Sequence, residues 1–269
     1  MMKALHYCLN MSTIRGTPLM EQIQIASDAG YDAVELWYAD ADAHVAGGGR
    51  YLDVYKAVDR LGMEVASVIY YDGWFDCAKE DWPRVKDDAE RRMSRATTLG
   101  TAQIIFSPPR GRADLATGAR RFAELLEVSK EIGVRPVFEF QGSVEQYNTI
   151  ESALEVLALA GGGEMVLDPF HIFRGGGSVE SIAKLRPEQI AVAHFNDIVT
   201  SVPREQQGDG DRVMPGDGTF DLRRYCDLLR GTGYRGYLSL ELFREDLWAC
   251  DPREVARIGL EKMRAVVEG

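Results

Sequence analysis

The sequence predicts a single (β/α)₈ barrel, and three observations carry that prediction. Short apolar runs alternate with longer amphipathic segments eight times along the 269 residues. Glycine stands at the end of most amphipathic segments, where a left-handed C-cap is needed. Several apolar runs also end in a ligand-capable residue, as in MVLDPFHIF (165–173) and AVAHFND (191–197). That is the pattern of a buried parallel strand delivering a side chain to the C-terminal rim of a barrel. A doubly wound sheet is the alternative. It requires a phosphate fingerprint after the first strand, and LNMSTIRG (9–16) contains no GxGxxG.

The elements follow in order. The first run is Ala4 to Leu9, with Asn10 just past it. Thr17-Pro18 reads as an N-cap with Pro at the first helical position, and that helix stops at Gly30. The second run ends near Trp37 and is followed by a Gly-rich loop, Gly47 to Gly49, and a helix from Leu52 to Leu61. The third is Glu64 to Ile69, followed by an aromatic loop (Tyr70, Tyr71, Trp74, Phe75) and a helix from Pro83 to Leu99. The fourth, Ala102 to Phe106, is stopped by Ser107-Pro108-Pro109, and the helix after it ends at Gly133. The fifth, Arg135 to Phe140, carries Glu139, with a helix from Ser152 to Ala160 beyond it. The sixth, Met165 to Leu167, precedes Asp168, and Ser178 caps a short helix, SVESIAKL. The seventh, Ile190 to Ala193, precedes His194 and a long polar loop, Ile198 to Thr219, containing MPGDG. Asp221 caps LRRYCDLLRG. The eighth, Tyr237 to Leu242, carries Glu241, and Asp251-Pro252 opens the last helix. No low-complexity linker, charge block or composition shift divides the chain, so one domain over 1–269 is expected.

Composition narrows the partners. A hydrophobic content of 45% suffices for one large core. The net charge of −11, with an isoelectric point near 5.0, argues against nucleic acid or an anionic membrane as partner. Cys8, Cys77, Cys226 and Cys250 form no CxxC, which reads as reduced thiols in a cytoplasmic protein. The N-terminal MMKALHYCLNMST has no long apolar region of the signal-peptide kind, and no run approaches the roughly 20 residues of a membrane span.

A barrel brings its strand C-termini to one face, where Glu139, Asp168, His194 and Glu241 would converge. Three carboxylates sharing a site cannot all ionise cheaply without a cation. One divalent ion resolves this, and oxygens plus one imidazole suit Mn²⁺, Co²⁺, Zn²⁺ or Mg²⁺ without choosing among them. His171 reads either as a strand-end cap or a substrate contact, and Arg212 as a solvated loop residue or a binding group. Trp37, Tyr70 and Trp74 read as a sugar-binding wall or as packing over the rim, with Trp74 the expected substrate contact. Glu35, between Val34 and Leu36, reads as part of a buried polar layer or as a support for the site. His6 and His44 read as structural or solvated. Gly175 to Gly177 before Ser178 gives a weak match to an anion cradle.

Read together, EFxG at Glu139, LDPFHI at Asp168 and His171, AHFND at His194, DRVMPGDG at Arg212 and LSLELF at Glu241 form an ordered set. The set resembles the sugar phosphate isomerase/epimerase superfamily of xylose isomerase-like TIM barrels, nearest the 2-keto-myo-inositol (inosose) isomerases and ketose 3-epimerases. The resemblance covers about Glu139 to Phe243. It implies that Glu139, Asp168, His194 and Glu241 hold one metal, with Glu139 and Glu241 as an acid/base pair. It further implies that His171 and Arg212 contact substrate oxygens and that Glu145, six residues after Glu139, takes a polar substrate-side position. The expected activity is isomerisation or epimerisation of a keto-sugar or keto-cyclitol through a metal-stabilised enediolate. A dehydratase or lyase on such a substrate, or a catalytically silent sugar-binding protein, are the rivals. DNA repair of the endonuclease IV kind needs a His-rich zinc cluster, which four histidines and the acidic charge disfavour. The expected partner is a small sugar or cyclitol, with homo-oligomers common among such proteins.

Overall fold

A computed structural model describes residues 5–269, so Ala4, where the first run was expected to begin, lies outside the described residues. The chain runs β1 (His6–Asn10), α1 (Leu19–Ala29), β2 (Ala33–Trp37), α2 (Tyr38–Ala46), α3 (Tyr51–Arg60), β3 (Glu64–Tyr71) and α4 (Trp82–Thr98). It continues through β4 (Gln103–Phe106), α5 (Leu115–Ile132), β5 (Arg135–Glu139), α6 (Ile150–Leu159), β6 (Glu164–Leu167), α7 (Pro169–Arg174) and β7 (Ile190–Phe195). The short β8 (Asp197–Ile198) and β9 (Arg212–Val213) precede α8 (Leu222–Thr232), β10 (Tyr237–Leu240), α9 (Glu245–Trp248) and α10 (Pro252–Glu268). Eight parallel strands close in the order β1-β10-β7-β6-β5-β4-β3-β2, while β8 and β9 pair separately as an antiparallel ladder. The predicted barrel and its eight runs are therefore present.

Alternation along the strands decides what points inward. Val137 and Val166 pack with Ile105 and Ala191 in a small apolar layer. Each valine stands two residues before a rim carboxylate, Glu139 or Asp168, so layer and carboxylates share the interior face. Outside the strands, Trp74, Phe106, Phe122 and Phe138 pack ring to ring at centroid distances of 5.7–6.2 Å. Arg121, itself buried, pins the loop after β3 through the Trp74, Phe75 and Cys77 carbonyls.

Several expected boundaries move. Pro18 occupies the N-cap of α1 and Thr17 provides no side-chain cap. SVESIAKL forms a 3₁₀ turn over Val179–Lys184, with the Ser178 cap as expected. The segment carrying His171 is helical (α7), capped by Asp168 through Phe170 N–H at 2.7 Å. α2 follows Trp37 directly, ahead of the Gly-rich loop. β5 stops at Glu139, and β10 stops one residue before Glu241.

Gly175, at the end of α7, is needed for close approach. A Cβ there would overlap the Asn148 backbone oxygen. Gly175→Ala is expected to destabilise the protein by about 1–3 kcal/mol, as overpacking does. Urea unfolding reads this directly, and a wild-type midpoint would refute it. Among the described residues no helix is long and apolar enough to cross a membrane. All four cysteines are free.

Candidate metal centre

Four strand ends build the centre. Glu139 is the last residue of β5, Asp168 follows β6, His194 lies in β7 and Glu241 follows β10. One ligand atom from each lies within 4.8 Å of all the others, and all four residues are buried. His194 Nδ1 sits at the middle, 3.4 Å from Glu139 Oε1, 3.4 Å from Asp168 Oδ2 and 3.1 Å from Glu241 Oε2. Three anionic oxygen donors and one imidazole nitrogen, all turned to one point, match a divalent-ion donor set.

The long loop after β7 adds a fixed cation. Asp197 anchors it by accepting the N–H groups of Ile198, Gly216, Gly218 and Phe220, which accounts for MPGDG. The loop delivers Arg212, fully buried, to Asp168 Oδ2 at 3.0 Å and Glu241 Oε2 at 3.5 Å. Its other arm reaches Asp209 at 2.6 Å, and the guanidinium lies 4.2 Å over the Phe170 ring. Burial opposes ionisation of Asp168, but the Arg212 guanidinium beside it holds its carboxyl well below the usual range.

Glu139 has no such partner. Burial pushes its carboxyl up to about 8; His194 opposes this, and Glu241 and Asp168 add to it. His171 Nδ1 accepts Gly142 N–H at 3.3 Å, and Nε2 lies 3.3 Å from Arg212 Nη2, 4.0 Å from Glu139 and 3.9 Å from Asp168. Burial lowers His171 to about 4, so it is neutral at pH 7.

These shifts give a signed pH dependence. A carboxyl raised from 4.5 to about 8 binds its proton more tightly folded than unfolded. Its contribution to stability is present below pH 4.5 and lost as pH rises through about 8. A divalent ion that takes the proton's place reverses this, releasing the proton. The thermal stabilisation given by Zn²⁺ should therefore grow from pH 5.5 towards pH 8. A gain that is flat with pH would contradict this.

A cavity of about 520 Å³ opens above the quartet, large enough for a small polyol. Glu139, Glu241, His171 and Arg212 line its floor, and Trp37, Tyr70 and Phe243 form its aromatic wall. Of the aromatics after the second and third strands, Trp37 and Tyr70 line this cavity. Trp74 does not. It is fully buried in the aromatic cluster outside the strands, with its indole N–H on the Ser107 carbonyl. Glu145 does not reach the cavity either; it is half exposed and pairs with Arg112 at 2.5 Å. Of Gly175 to Gly177, Gly175 is the one required for close packing, against the Asn148 backbone. Three contributors escaped the sequence reading. Asn196 donates to Asp168 Oδ1 at 3.0 Å, Asn10 donates to Glu241 Oε1 at 3.1 Å, and Phe243 walls the cavity. Both asparagines stand at strand ends, the same signal that exposed the ligands.

Residues 23–266 match the family model described as a xylose isomerase-like TIM barrel. The chain belongs to that family. An inosose isomerase of Bacillus velezensis is 23% identical over 276 residues, covering 97% of this chain and 96% of that protein. A 3-dehydroshikimate dehydratase of Pseudomonas aeruginosa is 28% identical over 257 residues, covering 93% of this chain. The match covers 40% of that longer protein. Among solved structures of the fold, an IOLI protein with a bound zinc atom superposes with a TM-score of 0.90 at 21% identity, covering 98% of each chain. That likeness shows the shared barrel.

Proposed function

We propose that the protein is a divalent-metal-dependent isomerase or epimerase of a keto-sugar or keto-cyclitol of the inosose type. The observation that carries this is the buried quartet opening onto a polyol-sized cavity. Glu139, Asp168, His194 and Glu241 would hold Mn²⁺, Co²⁺, Zn²⁺ or Mg²⁺; the zinc-bound relative and the inosose isomerase support that choice of chemistry. A bound ion supplies Lewis-acid polarisation of a substrate carbonyl.

The chain's own groups do the rest. Glu139, at the end of β5 and on the cavity floor, is placed to exchange a proton at the carbon beside the carbonyl. Glu241 is the second such group, held by Asn10 and His194. Two carboxylates working from opposite faces give epimerisation, whereas one serving two adjacent carbons gives a keto/hydroxy shift. His171 Nε2 and Arg212 orient substrate oxygens, while Trp37, Tyr70 and Phe243 exclude water above the reacting carbon.

The test is NMR in D₂O on a panel of ketoses and inososes with Mg²⁺ or Zn²⁺. Deuterium uptake beside the carbonyl, dependent on the ion, is expected for at least one substrate. No exchange across the panel would refute the reading. A product lighter by one water would assign the chemistry to dehydration instead.

A further inference from the structure

A polar layer lies behind the quartet, and the proton chemistry does not use it. Its centre is Glu35 on β2, whose side chain is wholly inaccessible to solvent. Glu35 Oε1 accepts the Ser67 hydroxyl at 2.5 Å. Its Oε2 accepts the Ser239 hydroxyl at 2.7 Å and Asn10 Nδ2 at 2.8 Å. His194 Nε2 lies 3.2 Å from the same Oε2, a charge contact outside hydrogen-bond alignment, and makes no hydrogen bond among the described residues. Four strands, β1, β3, β7 and β10, thus converge on one carboxylate carried by a fifth.

A buried carboxylate is expensive unless its hydrogen bonds are saturated. Barrel closure does not require one here. Elsewhere Ile69, Ile105, Val137, Val166 and Ala191 pack as a wholly apolar cluster. What distinguishes the Glu35 side is the position of its two direct neighbours. His194 contacts Glu35 through Nε2 and turns Nδ1 to the quartet. Asn10 Nδ2 bridges Glu35 to Glu241, while Asn10 Oδ1 accepts Ser12 N–H at 3.0 Å and Trp37 Nε1–H at 2.8 Å. Those two obligate donors fix the asparagine amide, so its nitrogen must face the two glutamates.

A neutral imidazole has one donor and one acceptor nitrogen, and the partner of one decides the role of the other. A carboxylate on Nε2 requires the proton there and leaves the Nδ1 lone pair free for an ion. We infer that Glu35 is a positioning residue for the metal centre. It holds His194 as the Nε2–H tautomer with Nδ1 aimed at the ion, and through Asn10 it sets Glu241 as well. One buried anion therefore orients two of the four ligands. This rests on the metal-binding reading above.

Two measurements test it. In the Zn²⁺-loaded wild-type protein, long-range ¹H–¹⁵N spectra of its four histidines should show one Nε2–H ring with the ion on Nδ1, assigned to His194 by its loss in His194→Gln. Chelator-competed calorimetry on folded Glu35→Gln should show Zn²⁺ affinity about 10–100-fold below wild type. A residue that served only the fold would lower the unfolding midpoint of the metal-free protein and leave that affinity unchanged. Wild-type affinity in folded Glu35→Gln, or an ion on His194 Nε2, overturns the inference while leaving the metal centre intact. Should Glu35→Gln fail to fold, the wild-type spectra still decide. Wild-type protein that binds no Zn²⁺ overturns the metal-binding reading and this inference with it.

Discussion

Glu139→Gln and Glu241→Gln are each expected to reduce turnover to background on any responsive substrate. Loss of carboxylate proton transfer alone is worth on the order of 10²–10⁴-fold. Each change also removes one anionic donor from a quartet packed within 4.8 Å, so ion occupancy falls as well. The amide keeps the shape of the acid, and the apolar layer beneath the quartet is untouched, so both variants should fold. The two are not equivalent. Glu139 makes no hydrogen bond to a neutral donor among the described residues and lies beside His194 and His171, so its amide is accommodated with little rearrangement. Glu241 accepts from Asn10 and lies 3.5 Å from Arg212, so an amide nitrogen turned either way meets a donor. Glu241→Gln should therefore lose more ion affinity than Glu139→Gln at the same loss of turnover. Steady-state rates at saturating Zn²⁺ or Mg²⁺, with ion affinities measured separately, check both statements. Substantial turnover by either variant would contradict the paired-carboxylate chemistry.

The second large effect is on stability. Arg212→Ala is expected to destabilise the metal-free protein at pH 7 by about 3–5 kcal/mol, the usual penalty for stripping a buried charge of its partner. Arg212 is the guanidinium that holds Asp168 ionised, and it also neutralises part of the Glu241 charge. Without it, Asp168 must either stay charged and unpaired or take up a proton. The change also empties the space over the Phe170 ring. A divalent ion supplies positive charge at the same carboxylates, so Zn²⁺ should recover more stability in Arg212→Ala than in wild type. Urea unfolding with and without Zn²⁺ measures both quantities. An unchanged midpoint, or equal recovery in the two proteins, would contradict this role.

The barrel and the quartet were legible in the sequence because their signals are local. Each strand is an apolar run of four to eight residues, and helices such as α1, α5 and α8 end at a glycine with positive φ. Each ligand stands at the end of its run or within one residue of it, so strand order alone brings Glu139, Asp168, His194 and Glu241 together. The frame behind them was not legible. Asn10 and Glu241 are 231 residues apart and meet because closure pairs β1 with β10. Glu35 showed only as a charged residue between apolar neighbours, and its partners come from strands that no local pattern links. Trp74 was misplaced because an aromatic after a strand turns to the cavity or to the surrounding helices with equal ease. Here the helix side wins, since Phe106, Phe122 and Phe138 offer it a ring cluster. Glu145 was drawn from a motif offset, and the surface pair with Arg112 takes it elsewhere. α7, at six residues, is too short for helical periodicity to declare itself.

Anomalous diffraction from a crystal grown with Zn²⁺ tests the central claim most directly. One peak is expected within about 2.0–2.2 Å of oxygens from Glu139, Asp168 and Glu241 and of His194 Nδ1. A map with no peak among those four side chains, at full Zn²⁺ and neutral pH, would contradict a metal centre at this rim.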